Sequence, residues 1–264
     1  MVDHSFVTVG DGVEIAYRFD GLADGTVLVL SNSIGTTMRM WDGVVADLGN
    51  RFRILRYDTR GHGLSGSPAG DYSVDRLGKD VVELLDALRI DRAHFCGLSL
   101  GGFIGQWLGV HAPHRVDHLI LANTSAYLGP TAQWDEQIAT LRTSPDIPAT
   151  ARRFLDNWFP EALRDTSEVD PFREDLLAVD PRGLAGCFAA VRDADLRRLG
   201  PLIPNPTLVI TGDFDEVCLP SHGELIAATV PNATLVGFPV VHLVNVEQPA
   251  LFVETVLRFL TTDR

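Results

Sequence analysis

A serine flanked by glycines, Gly97-Leu98-Ser99-Leu100-Gly101, is the group in this sequence whose type and setting most directly suggest covalent chemistry. Before it runs Ala93-His94-Phe95-Cys96, short and apolar like a buried strand, and after it Phe103 to Val110 reads as a helix. A Gly-x-Ser-x-Gly pentapeptide at a strand-to-helix turn is a nucleophile elbow, so tight that the serine backbone is strained and its hydroxyl exposed. A Cβ at Gly97 or Gly101 is expected to collide with the neighbouring strand or helix. The helix that follows aims its positive N-terminal end at the serine, which suits a developing oxyanion.

A serine hydroxyl is a weak nucleophile near neutral pH and needs a base. Of the eight histidines, His242 is the best placed, in Pro239-Val240-Val241-His242-Leu243 between the last predicted strand and the last predicted helix. His62, in Arg60-Gly61-His62-Gly63, is its main competitor. His4, His94, His111, His114, His118 and His222 fall on the terminus, on a strand, on helices or at helix ends, and read as surface or packing residues. The base in turn needs a carboxylate to fix its tautomer and stabilise the imidazolium. Gly212-Asp213-Phe214-Asp215-Glu216 offers three acids just past a strand, and Asp215 is the one chosen. Asp213 is expected to cap or close the turn and Glu216 to be solvated. The resulting order Ser99, Asp215, His242 is the order of α/β-hydrolases.

The oxyanion needs two backbone N–H donors. One is that of Leu100, directly after the nucleophile; the other is assigned to Ile34, in the polar loop Ser31-Asn32-Ser33-Ile34-Gly35-Thr36-Thr37. The side chains of Ser31, Asn32 and Ser33 either hydrogen-bond substrate or hold that loop. No residue is assigned as a metal ligand.

The elements that must position these groups alternate. Phe6–Val9 and Val13–Phe19, around Gly10-Asp11-Gly12, read as a β-hairpin. Thr26–Leu30 is a continuous apolar run typical of a central parallel strand, and Phe52–Tyr57, Ala93–Cys96, Val116–Ala122, Thr207–Gly212 and Thr234–Phe238 give further strands. Helices are expected at Met40–Leu48, from Ser73 as N-cap with Leu77, Val81, Leu84, Leu85 and Leu88 facing the core, at Glu224–Thr229 and at Pro249–Leu260. The alternation predicts an α/β fold, a mostly parallel twisted sheet with helices on both faces. Catalytic groups on such sheets gather beyond the carboxyl ends of the strands. From about Ser125 to Leu199 strand-like runs vanish, and Trp134–Leu141, Ala149–Trp158, Glu174–Val179 and Gly183–Ala190 are helical in pattern with proline-containing breaks. This predicts a core of residues 1–124 and 200–264 with a helical cap inserted at 125–199.

The 264 residues suffice for one such domain with its insertion, and 45% hydrophobic residues mark an ordinary globular protein. A net charge of −13 with no basic run makes nucleic acid and anionic membranes poor partners. The three cysteines, Cys96, Cys187 and Cys218, predict free thiols and a reducing compartment, with Cys96 a small core hydrophobe. Met1-Val2-Asp3-His4-Ser5 lacks the basic and apolar regions of a signal peptide, and no apolar run is long enough to span a bilayer, so a cytoplasmic protein is expected.

Together the segments Ser31–Thr36, Arg56–Gly63, His94–Gly102, Gly105–Gly109, Leu121–Thr124, Ala185–Asp193 and Asn245–Pro249 resemble the 3-oxoadipate enol-lactone hydrolases, a branch of the α/β-hydrolases, over nearly the whole chain. The loop at Ser31–Thr36 and the cap segment around Cys187 are its most telling parts. The chain departs from the family pattern at Asp215–Pro220, which lacks a small proline-rich run, at Leu100, where methionine is more usual, and at the bulkier Pro239-Val240-Val241. The resemblance implies hydrolysis of a small-molecule enol-lactone to 3-oxoadipate in aromatic catabolism, without a cofactor; a carboxylesterase, or another lactone or carbon–carbon bond hydrolase of the same fold, is the alternative. Such a substrate carries a carboxylate and calls for a pocket cation. Arg192 is either that cation or part of a surface salt bridge, and Trp134, Trp158 and Phe159 either line the pocket or pack the core. Whether the acyl group passes through Ser99 or a His242-activated water attacks directly stays open.

Overall fold

A computed structural model describes residues 4–261. The Met1–Asp3 part of the leader expectation lies outside the described residues. The hairpin forms β1 (Ser5–Thr8) and β2 (Glu14–Gly21), followed by β3 (Val27–Ser31), α1 (Asp42–Gly49), β4 (Arg53–Tyr57), α2 (Val74–Ala87), β5 (Ala93–Leu98), α3 (Leu100–His111) and β6 (Val116–Ala122). Five helices then intervene: α4 (Thr131–Thr143), α5 (Ile147–Trp158), α6 (Glu161–Arg164), α7 (Asp170–Ala178) and α8 (Pro181–Asp193). The alternation resumes with β7 (Thr207–Gly212), α9 (Pro220–Thr229), β8 (Ala233–Phe238), α10 (Val244–Glu247) and α11 (Pro249–Thr261).

All eight strands form one sheet in the order β1-β2-β4-β3-β5-β6-β7-β8. β2 is antiparallel to both β1 and β4, and every pairing from β4 to β8 is parallel. The chain therefore runs outward from β3 to β4, then crosses back to place β5 on the other side of β3. That reversal opens a crevice at the carboxyl ends of β3 and β5, the position where α/β sheets bind ligands. β3, β5 and β7 are buried along their whole length, so helices must cover both faces. Two separate helical groups do this: α2 with α3, and α1 with α10 and α11.

Local chemistry explains most boundaries. Ser73 caps α2 by accepting from the Arg76 N–H at 3.1 Å, and Leu77, Val81, Leu84 and Leu85 face the core, with Leu88 half-buried at the C-terminal end. α9 begins at Pro220, four residues before the apolar pattern suggests, because proline is already shaped for a first helical turn. α6 and α10 are single turns, too short to carry a period, and escape a sequence reading. α8 is seated against the loop after β4 by backbone contact: a Cβ on Gly61 would lie 2.8 Å from Gly183 Cα in α8, and one on Gly183 2.3 Å from the Gly61 carbonyl. The Tyr72 N–H donates to the Gly186 carbonyl at 3.1 Å, and Cys187 Sγ lies 3.5 Å from the Arg60 carbonyl. Cys96, Cys187 and Cys218 are free and buried. Among the described residues no helix is long and apolar enough to cross a membrane.

Candidate active site

Ser99 sits between β5 and α3 with φ 56° and ψ −112°, a conformation side chains other than glycine rarely adopt. Such strain costs about 1–3 kcal/mol and persists only where the surroundings dictate it. Here they do. The Ser99 N–H donates to the Ala122 carbonyl at 3.0 Å, and its own carbonyl accepts from the Gly102 N–H and from Thr124 Oγ1. A Cβ on Gly97 would lie 2.0 Å from the Gly101 carbonyl, and one on Gly101 2.3 Å from the Ser31 carbonyl. The turn closes because both positions are bare.

Across the sheet edge, His242 Nδ1–H donates to Asp215 Oδ2 at 2.8 Å. The loop after β7 holds the carboxylate rigidly: its Oδ1 accepts the Val217 and Cys218 N–H groups at 2.8 and 2.9 Å, and Asn123 Nδ2 adds a 3.1 Å bond to Oδ2. The turn itself is closed by the Asp215 N–H on the Gly212 carbonyl, while Asp213 is exposed. His242 is buried, and its Nε2 has no hydrogen-bond partner among the described residues. That nitrogen therefore keeps an open valence on the side away from Asp215. Ser99 and His242 line the same cavity, of about 240 Å³.

Two side chains supporting this pair escaped the sequence reading. Asn123, at the end of β6 with φ 42°, bonds both Asp215 and the Val241 carbonyl. Its signal was an asparagine directly after a strand, a residue that tolerates positive φ. Glu247, in α10, accepts the Val241 N–H at 2.9 Å and so braces the loop ahead of His242. Burial pushes its carboxyl up to about 7, against the opposing pull of the Val241 N–H.

The loop after β3 lies on the other side of Ser99. Ile34 and Leu100 both line the cavity. On either side of Ile34 the N–H groups are engaged, Ser33 to Met40 Sδ and Gly35 to His62 Nε2 at 2.8 Å. Neither the Ile34 nor the Leu100 N–H is among the backbone hydrogen bonds of the described residues. His62 is thus occupied as an acceptor holding the loop, and burial lowers its pKa to about 4, so it stays neutral. Ser31 Oγ pairs with the Tyr57 hydroxyl at 2.7 Å, and the Asn32 side chain bridges the Tyr57 carbonyl and the Trp41 indole. Both hold the loop.

The expectations for the pocket resolve differently. Trp134 and Trp158 line the cavity, whereas Phe159 is fully buried against Phe172. Ser33 is a correction: its hydroxyl is buried without a partner and does not line the cavity, because the loop turns its neighbour Ile34 there instead. Arg192 is a second correction. It lies at the C-terminal end of α8 outside the cavity, bound to Asp71, Asp135 and Asp193 at 2.9, 3.0 and 2.7 Å. Three carboxylates already satisfy it. Glu216 is exposed but lines the cavity.

Potential metal-ligand atoms of Asp215, Cys218 and His242 lie within 4.8 Å of one another. Their chemistry is committed elsewhere: the carboxylate and imidazole bond each other, and burial raises the Cys218 thiol well above its usual range, away from the thiolate a metal would need. What the arrangement can do is general-base activation of a hydroxyl, beside donors for an oxyanion.

A family model described as the alpha/beta hydrolase fold matches residues 26–249. 3-oxoadipate enol-lactonase 2 of Acinetobacter baylyi is 38% identical over 251 residues, 93% of this chain and 94% of that protein. A solved structure of a hydrolase from Pseudomonas aeruginosa PA01 superimposes with a TM-score of 0.97 at 56% identity, covering 99% of both chains. The enol-lactonase from Burkholderia xenovorans LB400 gives 0.94 at 37% identity, over 98% of this chain and 100% of that one.

Proposed function

The chain belongs to the alpha/beta hydrolase family, and from that premise we propose that it is a serine hydrolase that opens 3-oxoadipate enol-lactone to 3-oxoadipate, a step in the breakdown of aromatic compounds. The carrying observation is a buried Asp215–His242 hydrogen bond of 2.8 Å whose outer imidazole nitrogen is unpartnered in the cavity that Ser99 also lines. The identity to enol-lactonases over nearly the full length supports the substrate class.

In this reading His242 Nε2 takes the Ser99 proton as Oγ forms a bond to the lactone carbonyl carbon. The carbonyl oxygen becomes an oxyanion between the Ile34 and Leu100 N–H groups, and Asp215 steadies the imidazolium. Collapse breaks the ring carbon–oxygen bond. The leaving oxygen departs as an enolate, a good leaving group that tautomerises to the ketone with a proton from solvent or imidazolium. Water, deprotonated by His242, then attacks the acyl ester and releases Ser99 and the second carboxylate. The reaction consumes only water and draws on no cofactor.

We take residues 125–199 as a cap over a core of 1–124 and 200–264. Three reduced cysteines fit a cytoplasmic setting, and a net charge of −13 fits a small-molecule substrate better than nucleic acid. The first test is turnover of the enol-lactone against a simple aryl ester. Ser99→Ala is expected to lower kcat on the lactone by at least about 10³-fold with the fold intact. Near-wild-type turnover by that variant would leave direct attack by His242-activated water as the route.

A further inference from the structure

The cavity over Ser99 has a mixed lining. Ile34, Leu100 and Phe103 line it from the sheet side, and the helices between β6 and β7 add aromatic side chains, Trp134, Phe154 and Trp158 among them. The same helices also bring polar groups, for Gln133 and Gln137 stand four residues apart on α4, and Arg153 and Asn157 four residues apart on α5. Residues at that spacing share a helix face, so each helix turns one polar stripe to the cavity. Among the described residues, Arg153 is the one cation lining this space. Most guanidiniums in this chain are tied to carboxylates, Arg192 to three of them, but Arg153 has no ion pair or hydrogen bond among the described residues. Arg153 is exposed, partial desolvation lowers its pKa, and no carboxylate among the described residues pairs with it. Glu216 lines the same cavity from the loop after β7, on the opposite structural unit. An anion entering here is drawn toward α5 and repelled from the β7 side.

We propose that Arg153 is the specificity-determining residue of this pocket, receiving a substrate carboxylate with Asn157 beside it on α5. The assignment rests on the enol-lactone reading above. In that substrate the carboxylate lies on a short arm beyond the ring oxygen, at the opposite end of the molecule from the reacting carbonyl. With the carbonyl at Ser99, an arm pointing to α5 pairs with Arg153 and keeps clear of Glu216. A guanidinium suits the task, because its planar donors meet both oxygens of a carboxylate.

The test uses the full-length protein with two readouts. The first is the ratio of kcat/KM for the carboxylated enol-lactone to that for its neutral methyl ester. The second is competitive inhibition of aryl-ester hydrolysis by adipate, a six-carbon dicarboxylate shaped like the product. In Arg153→Gln the selectivity ratio is expected to fall, and the adipate inhibition constant to rise, by about 10- to 100-fold. Arg153→Lys restores part of both, because the charge returns without the planar fork. A uniform loss on both substrates with an unchanged inhibition constant would overturn the assignment, since a structural role lowers activity without discriminating charge. Failure of the wild type to open the lactone, with inhibition by adipate still dependent on Arg153, would sink the enol-lactone reading but leave the anion site standing. Lactone turnover with inhibition indifferent to Arg153 would do the reverse.

Discussion

At the scale of single residues, the side chains that bear on chemistry are held by neighbours with other tasks. Glu247 has no hydrogen bond to Ser99 or Asp215 among the described residues, yet it accepts the Val241 N–H next to the imidazole loop. Its carboxyl sits near 7 in the folded protein and near 4.5 when unfolded. Between those values the folded state holds the extra proton, so stability declines as pH rises from about 4.5 to 7. Glu247→Gln keeps the acceptor and removes the titration. Chemical denaturation at pH 5 and pH 8 should show the variant gaining on the order of 1–2 kcal/mol relative to wild type at the higher pH, after allowing for partial solvation. An unchanged difference would mean that the carboxyl titrates normally. Serine, aspartate and histidine were legible in the sequence because few residue types can do their work and because they follow strand ends. Asn123 and Glu247 were not, because a supporting hydrogen bond leaves no pattern in spacing.

At the scale of elements, the loop after β3 shows how one part of the site is shaped by residues far along the chain. Its Gly35 N–H is held by His62, Asn32 by Tyr57 and Trp41, and Ser31 by Tyr57. His62 attracts notice as a candidate base because glycines surround it, but those glycines serve the loop's own turns, Gly61 and Gly63 both having positive φ. The folded protein keeps this imidazole neutral down to about pH 4, while an unfolded chain takes up its proton near 6.5. The stability it contributes is complete above 6.5 and is lost as pH falls toward 4. His62→Gln, which retains an acceptor for Gly35, should therefore reduce the stability gap between pH 7 and pH 5 by about 2 kcal/mol in urea titrations. An equal gap in both proteins would show that protonation of His62 is not resisted by the fold. Arg192 admits two readings in the sequence for the related reason that a lone arginine does not reveal which carboxylates surround it in space.

At the scale of the whole molecule, the alternating pattern of strands and helices made the sheet and its carboxyl edge readable, because central parallel strands are continuous apolar runs. The inserted helices were readable as helices, but the single turns α6 and α10 and the cavity wall were not, since they depend on packing between segments. α8 is joined to the loops of the sheet by the Gly61–Gly183 contact and the Tyr72–Gly186 hydrogen bond, whereas α4 and α5 line the cavity with polar and aromatic side chains. Hydrogen–deuterium exchange should accordingly find α8 amides protected nearly as well as those of β5, and α4 to α7 exchanging faster. Exchange in α8 as fast as in α5 would contradict this. The glycine-on-glycine contact has a bearing on diversification. Two residues that tolerate no added methyl pin one helix, while the polar cavity-lining positions of α4 and α5 stand outside the buried core. Mutational libraries confined to those polar positions are expected to retune molecular preference without disturbing bond cleavage, so that a lineage can acquire a new diet by redrafting its roof rather than its foundations.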